Sequence, residues 1–202
     1  MMKKVGFIQV YNKIAPVYDK WFGKSCQDSY ALILDRIQAY NITFKNVLDI
    51  GCGTGQLLET LSNATCVKEL YGIDPAENMI QVAKNKQLAK CKFFVGFAEN
   101  LPFADKSVDC VVSTAAFSHY SDVKSVLCEV HRILKPTGHC IIVDHKKPNF
   151  FIKTILATIK LLANYLDTNE IKNIISKENF EIRELKETKK YFIVHIVPVL
   201  SN

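Results

Sequence analysis

Short apolar runs and amphipathic stretches alternate along most of this chain. Val47, Leu48 and Ile50 form a run that reads as a strand buried on both faces. Gly51, Gly53 and Gly55 then turn the chain into a helix expected from about Thr54 to Asn63. Leu70 to Ile73 is a second strand closed by Asp74, and Pro75 fits the first turn of a helix carrying Met79, Val82 and Ala83. Phe93 to Val95 and Val108 to Ser113 are the next strands, separated by a loop over Asn100 to Lys106. Asp122 suits the N-cap of a helix whose Val123, Val126, Leu127, Val130, Ile133 and Leu134 share one face. Lys135-Pro136-Thr137-Gly138 ends that helix, and Cys140 to Val143 is a fifth strand. Such alternation predicts a parallel sheet with right-handed crossovers.

The two ends read differently. An aromatic-rich segment, 11–22, precedes a helix over Ser25 to Tyr40 with Leu32, Ile33 and Ile37 on one face. At the other end, helices are expected over about 150–166 and 169–178, followed by strands near 180–187 and 191–198. The short turn at Lys189-Lys190 makes those strands an antiparallel hairpin. The fold class is therefore α/β: a seven-stranded sheet, mostly parallel, with a C-terminal antiparallel hairpin and helices on both faces.

Composition adds bounds. A chain of 202 residues, 49% hydrophobic and 23% charged, is an ordinary globular domain with enough length for a full core. The apolar run after Lys3 and Lys4 is too short for a signal peptide, and no stretch reaches the ~20 apolar residues that span a bilayer. Seven scattered cysteines without a C-x-x-C pair point to reduced thiols in a cytoplasmic protein. The net charge of +6 sits on the flanks, since residues 1–24 hold five lysines against Asp19 while 25–134 are slightly acidic. Such flanks suit an acidic substrate, an anionic membrane, or simply water.

An open α/β sheet binds its ligand beyond the carboxyl ends of its strands. The candidates are Gly51 to Gly55, then Asp74, then Phe97-Ala98-Glu99, then Ser113 to His119. Asp74 is placed to accept from a ribose diol or to cap the helix after it, a pattern shared with dinucleotide-binding dehydrogenases. His139, His145 and His195 have no ligand spacing and no metal is expected, while His131 is expected to face solvent.

Several motifs follow one another in order. They are Tyr11-Asn12-x-x-Ala15-x-x-Tyr18-Asp19, Val47 to Gly55, Gly72-Ile73-Asp74-Pro75 with Met79, and Ala98-Glu99-Asn100-Leu101-Pro102-Phe103. Ser107 to Ser113 and Glu129 to Gly138 complete the series. On these residues the chain resembles the class I S-adenosylmethionine-dependent methyltransferases, in the group similar to quinone-biosynthesis and small-molecule methyltransferases. The resemblance implies a Rossmann-like sheet and S-adenosylmethionine as cofactor. It implies an N-terminal lid over 1–24 holding Tyr11 and Tyr18, a cofactor-binding core over 25–145, and a helical insert with hairpin over 146–202. Gly51, Cys52, Gly53 and Gly55 would approach the methionine part, with Asp49 orienting the loop and the amino group. Asp74 would hold the ribose, Met79 or its neighbour would pack near adenine, Ala98 would bond adenine through its N–H, and Ser113 would lie beside the methionine or ribose through its backbone. Where many members read Gly-Asp-Ala, this chain reads Gly96-Phe97-Ala98. Phe97 would then pack on the ring, with Glu99 or a backbone carbonyl taking the amino group.

On the acceptor side, the resemblance implies His119 as a catalytic base, paired with Tyr18, as in some phosphoethanolamine methyltransferases. The alternative is that His119 only lines the pocket. Residues 149–166 are amphipathic, with Ile152, Ile155, Leu156, Ile159 and Leu162 on one face. That stretch would cover the sheet, roof a pocket for a lipid-like acceptor, or touch a membrane. Nucleic acid is not expected as substrate, since no Asn/Asp-Pro-Pro-Tyr motif follows the fourth strand. Two rivals to a methyltransferase remain. One is an NAD(P)-dependent oxidoreductase, although the third glycine of its fingerprint is absent; the other is a non-catalytic S-adenosylmethionine-binding protein.

Overall fold

The first apolar run becomes the middle of the sheet. In this computed structural model, which describes residues 2–40, 44–64, 67–146 and 166–199, that run is β1 (Asn46–Ile50). The other strands are β2 (Glu69–Asp74), β3 (Cys91–Val95), β4 (Val108–Thr114), β5 (Leu134–His145), β6 (Phe180–Glu187) and β7 (Tyr191–Pro198). They lie in the order β3-β2-β1-β4-β5-β7-β6. β1 to β5 pair in parallel, while β7 runs antiparallel to both β5 and β6, as the hairpin requires. The helices are α1 (Met2–Ala39), α2 (Gln56–Ala64), α3 (Glu77–Asn85), α4 (Val123–Ile133) and α5 (Thr168–Ile175).

Neighbouring strand residues feed opposite faces of the sheet. Leu48, Val111 and Ile142 pack with Leu127 and Val130 of α4 and Ile171 and Ile175 of α5. Val47, Val112 and Ile141 pack on the other side with Ile33 of α1, Leu57 and Leu61 of α2 and Ile80 of α3. Both faces are thus covered, which is why the central strands read as continuous apolar runs. Asp122 caps α4 as expected, its carboxylate accepting from the Ser125 N–H at 3.1 Å. The chain leaves β1 toward β2 on one side and returns to β4 on the other. A crevice therefore opens above the carboxyl ends of β1 and β4.

Four local expectations change. The aromatic-rich segment and the helix after it form one helix of 38 residues, α1, with Pro16 inside it. Burial on both the lid and the sheet outweighs the hydrogen bond that Pro16 removes. Pro75 stands ahead of the N-cap Ala76 rather than in the first turn of α3. Lys135 to Gly138 lie inside β5 as a bulge, between the Val108↔Leu134 and Cys110↔His139 pairs. His131 packs edge-on against Phe180 at 5.2 Å rather than facing solvent. The amphipathic stretch over 149–166, with its expected membrane or acceptor contact, lies outside the described residues. Among the described residues no helix is long and apolar enough to cross a membrane.

Candidate functional site

The glycine turn after β1 is held by its neighbour strand. The N–H groups of Gly51 and Cys52 both donate to the Ile73 carbonyl, at 2.8 and 3.1 Å. Gly51, Gly53 and Gly55 all have φ between 52° and 78°, the left-handed region that side chains resist. Each also sits where a side chain would matter differently. A Cβ on Gly51 would lie 2.4 Å from the Ala116 Cβ, and one on Gly55 would lie 2.9 Å from the Phe93 ring. A Cβ on Gly53 would meet nothing within 4 Å, so this is where the turn opens toward a ligand.

The turn forms the floor of a cleft with about 1060 Å³ of space, its mouth included. The expected residues Asp49, Gly51, Cys52, Gly53, Asp74, Met79, Phe97, Ala98, Glu99, Tyr11, Tyr18 and His119 all line it. Gly55 and Ser113 do not. Gly55 turns toward Phe93, and the Ser113 hydroxyl is buried behind the wall, donating to the Ile50 carbonyl at 3.0 Å. At the end of β4 the lining comes instead from Thr114, Ala115 and Ala116. Ala115 itself holds φ 50°, a strained conformation of the kind found at ligand sites.

Two acids face the cleft with different bonding. The Asp74 carboxylate accepts from the Gly53 N–H at 3.0 Å and from the Ala76 N–H at 2.8 Å. It therefore caps the entry to α3 and clamps the glycine turn at once. Burial raises its pKa, and the two N–H donors oppose that shift. Asp49 is only 1% exposed, and its Oδ1 has no hydrogen-bond partner. Burial first, and the nearby Asp74 second, push Asp49 up to about 8. An orphaned buried acid beside an open glycine turn fits a ligand that brings a cationic amino group.

The roof is the first half of α1. Asp19 bonds the Thr54 hydroxyl and pairs with Lys86 at 3.0 Å, while Asn12 accepts from the Asn78 N–H at 2.8 Å. These bonds tie the helix to the glycine turn and to α3. The expected pairing of Tyr18 with His119 is not the one formed. Tyr18 packs near Phe22, and it is the Tyr11 hydroxyl that meets His119 Nε2, at 3.2 Å. The Phe7 ring covers the same imidazole at 4.9 Å. Burial first, then His145, pull His119 down to about 4, so it is neutral at physiological pH.

Several participants carried no signal in the chain. Phe7 and Ile8 reach the cleft only because α1 is continuous and folds over it. Tyr120 reaches back to the Ile50 carbonyl at 3.0 Å across a loop with no pattern. Asp144 was findable, because it follows the expected strand Cys140 to Val143 as Asp74 follows Leu70 to Ile73. Its carboxylate accepts from the Ser118 N–H at 2.8 Å and so holds the 3₁₀ turn Phe117–His119. Among the described residues no three His, Cys, Asp or Glu side chains come together as a metal site.

A sheet that reverses at β1 and β4, an open glycine turn and an acid ending β2 define a nucleoside-binding α/β protein. Residues 48–142 match the family described as a methyltransferase domain. The chain is 29% identical to a ubiquinone/menaquinone biosynthesis C-methyltransferase of Campylobacter jejuni, over 92% of this chain and 89% of that one. It is 31% identical to an uncharacterized protein of Methanocaldococcus jannaschii, over 89% of this chain and 78% of that one. Its fold is similar to that of a Haemonchus contortus phosphoethanolamine N-methyltransferase in complex with S-adenosyl-L-methionine. There the TM-score is 0.75 at 17% identity, covering 86% of this chain and 53% of that one. The chain belongs to the class I S-adenosylmethionine-dependent methyltransferases. It is an enzyme that methylates a small-molecule acceptor with that cofactor, and neither the oxidoreductase nor the non-catalytic reading is favoured.

The Gly51 packing gives a direct test. Gly51→Ala is expected to lower stability by about 1–3 kcal/mol through overpacking and left-handed strain. Adding Ala116→Gly should recover part of that loss, as read from urea unfolding midpoints.

Proposed function

We propose that this enzyme methylates an apolar, ring-bearing acceptor that carries an acidic hydroxyl, in the manner of a quinol precursor, in the cytoplasm. The observation that carries this reading is the neutral His119 joined to Tyr11 under the Phe7 ring, above the open glycine turn. The quinone-biosynthesis name of the Campylobacter relative supports it, and the six free cysteines described fit a reducing compartment.

The residues divide the work between cofactor and acceptor. Bound S-adenosylmethionine supplies a methyl group on a sulfonium sulfur, which is a good leaving group. Gly51, Cys52 and Gly53 offer close backbone approach to its amino-acid part, and Asp49 holds the amino group. Asp74 holds the ribose hydroxyls on the lone pairs left free by Gly53 and Ala76. Met79 and Phe97 would pack near the adenine, the Ala98 N–H would bond a ring nitrogen, and Glu99 would take the exocyclic amine. Glu99 is steadied by the Ser121 hydroxyl at 3.2 Å. Tyr18 closes the roof on the cofactor side.

For transfer, the protein must hold nucleophile, methyl carbon and sulfur in line and keep water out. Such positioning supplies ~7–11 kcal/mol of the barrier. His119 accepts the acceptor's hydroxyl proton, which raises electron density on the ring, and Tyr11 orients the imidazole. Asp144 acts through the backbone, by fixing the turn that presents His119.

Three measurements test these assignments. Asp74→Ala should weaken S-adenosylhomocysteine binding ~10- to 100-fold in isothermal titration, the scale of losing charge-assisted hydrogen bonds. Asp49 should make that binding pH-dependent. Its carboxyl is protonated below about 8 in the free protein, whereas a neighbouring ammonium group favours the carboxylate. Affinity is therefore expected to fall as pH drops from about 8 toward the lower pKa of the complex, and Asp49→Asn should flatten that slope. Finally, His119→Gln should cut turnover ~10²- to 10⁴-fold with cofactor affinity unchanged. Tyr11→Phe should cost less and shift the pH–rate profile, and an unaltered rate in both variants would remove the dyad from the chemistry.

A further inference from the structure

The outer face of α1 has no role in the site, and its chemistry is specific. Lys13, Val17, Lys20 and Lys24 fall at i, i+4, i+7 and i+11, with Val10 and Trp21 beside them on the same stripe. The stripe from Val10 to Lys24 is about 21 Å long at helical rise. Trp21 is 62% exposed and Val10 39% exposed, and Trp21 is the chain's single tryptophan. Lys13, Lys20 and Lys24 are exposed and make no ion pair among the described residues. Asp19 is the only acid in residues 1–24, and it turns inward to Thr54 and Lys86. The next acid along, Asp28, is held by Lys190 at 2.9 Å.

The buried core of a protein–protein interface is depleted in lysine. Lysines flanking an exposed tryptophan match a bilayer interface instead. There the indole sits at headgroup depth, and the lysine stems lie on apolar surface while their heads reach anionic groups. We propose that the outer face of α1 docks this enzyme on an anionic lipid surface, with Trp21 in the interfacial layer and Lys13, Lys20 and Lys24 on lipid headgroups. The inner face of the same helix carries Phe7, Tyr11 and Tyr18 over the cleft. Docking therefore sets the roof of the site against the bilayer. In this respect the inference rests on the apolar-acceptor reading, since it gives such an acceptor a short path from lipid to cleft.

The single tryptophan makes the test local. Full-length protein is mixed with phosphatidylcholine vesicles with and without phosphatidylglycerol, and vesicle flotation, Trp21 emission and acrylamide quenching are recorded. The anionic vesicles should bind the protein, shift the emission to the blue and shield Trp21, while added salt reverses all three and neutral vesicles do nothing. Combining Lys13→Glu, Lys20→Glu and Lys24→Glu should weaken vesicle binding at least ~100-fold. S-adenosylhomocysteine affinity should stay unchanged, which also reports that the variant is folded. No binding to anionic vesicles, binding with Trp21 still open to acrylamide, or full binding by the triple variant would each overturn the proposal. So would shielding of Trp21 by self-association without lipid, or a preference for duplex nucleic acid over vesicles. If vesicles bind as expected but no ring-bearing acceptor is methylated, the docking surface stands and only the acceptor reading fails.

Discussion

Everything at this site depends on how closely the turn after β1 passes the exit of β4. At Gly51 the backbone comes so near Ala116 that a single added carbon would sit 2.4 Å from its Cβ. That contact brings the glycine turn, the strained Ala115 and the turn carrying His119 around one cleft. The Ile73 carbonyl sets the geometry from below by accepting both Gly51 and Cys52. The cleft exists because two parallel neighbours, β1 and β4, send their connections to opposite sides. The glycines let the ligand-facing wall be backbone, which cannot swing away as a side chain can.

The second organising feature is the length of α1. Its C-terminal half buries Ile33 and Ile37 against the sheet, and its N-terminal half covers the cleft with Tyr11 and Tyr18. The roof is thus a continuation of a core helix rather than a separate flap. Asp19 to Thr54 and Asn12 to Asn78 register it against the floor. Ordering a free segment over the cofactor would cost backbone entropy for each residue fixed. Extending a helix already nucleated in the core lowers that cost.

Burial also decides the charge state of the site. Asp49 keeps its proton up to about 8 and His119 loses its proton above about 4. Without ligand, both groups facing the reaction zone are neutral near pH 7. Under the proposed function, these are the groups that meet an incoming cation and an incoming hydroxyl.

Strand order, the hairpin and the glycine turn were legible in the chain because each rests on local rules. Apolar runs of strand length, an acid at a strand end and glycines at a sharp bend leave their mark within ten residues. Asp49 and Asp74 lie in the last residues of β1 and β2, Ala98 follows β3 and Met79 lies in α3, and all four line the cleft. What misled was local too. Ser113 was expected beside the cofactor through its backbone; its hydroxyl turns toward Ile50, and the lining at the end of β4 comes from Thr114, Ala115 and Ala116. Tyr18 looked like the partner of His119, yet Tyr11 is, because helix phase and the docking angle of α1 select the residue that arrives. Short-range periodicity and backbone sterics were enough to set the sheet and to bring the candidate residues to its carboxyl edge. Which ring meets His119, which residues line the cleft and which face of α1 is left outside were settled by packing. Those are contacts between segments far apart in the chain, fixed by packing angles that no local pattern encodes.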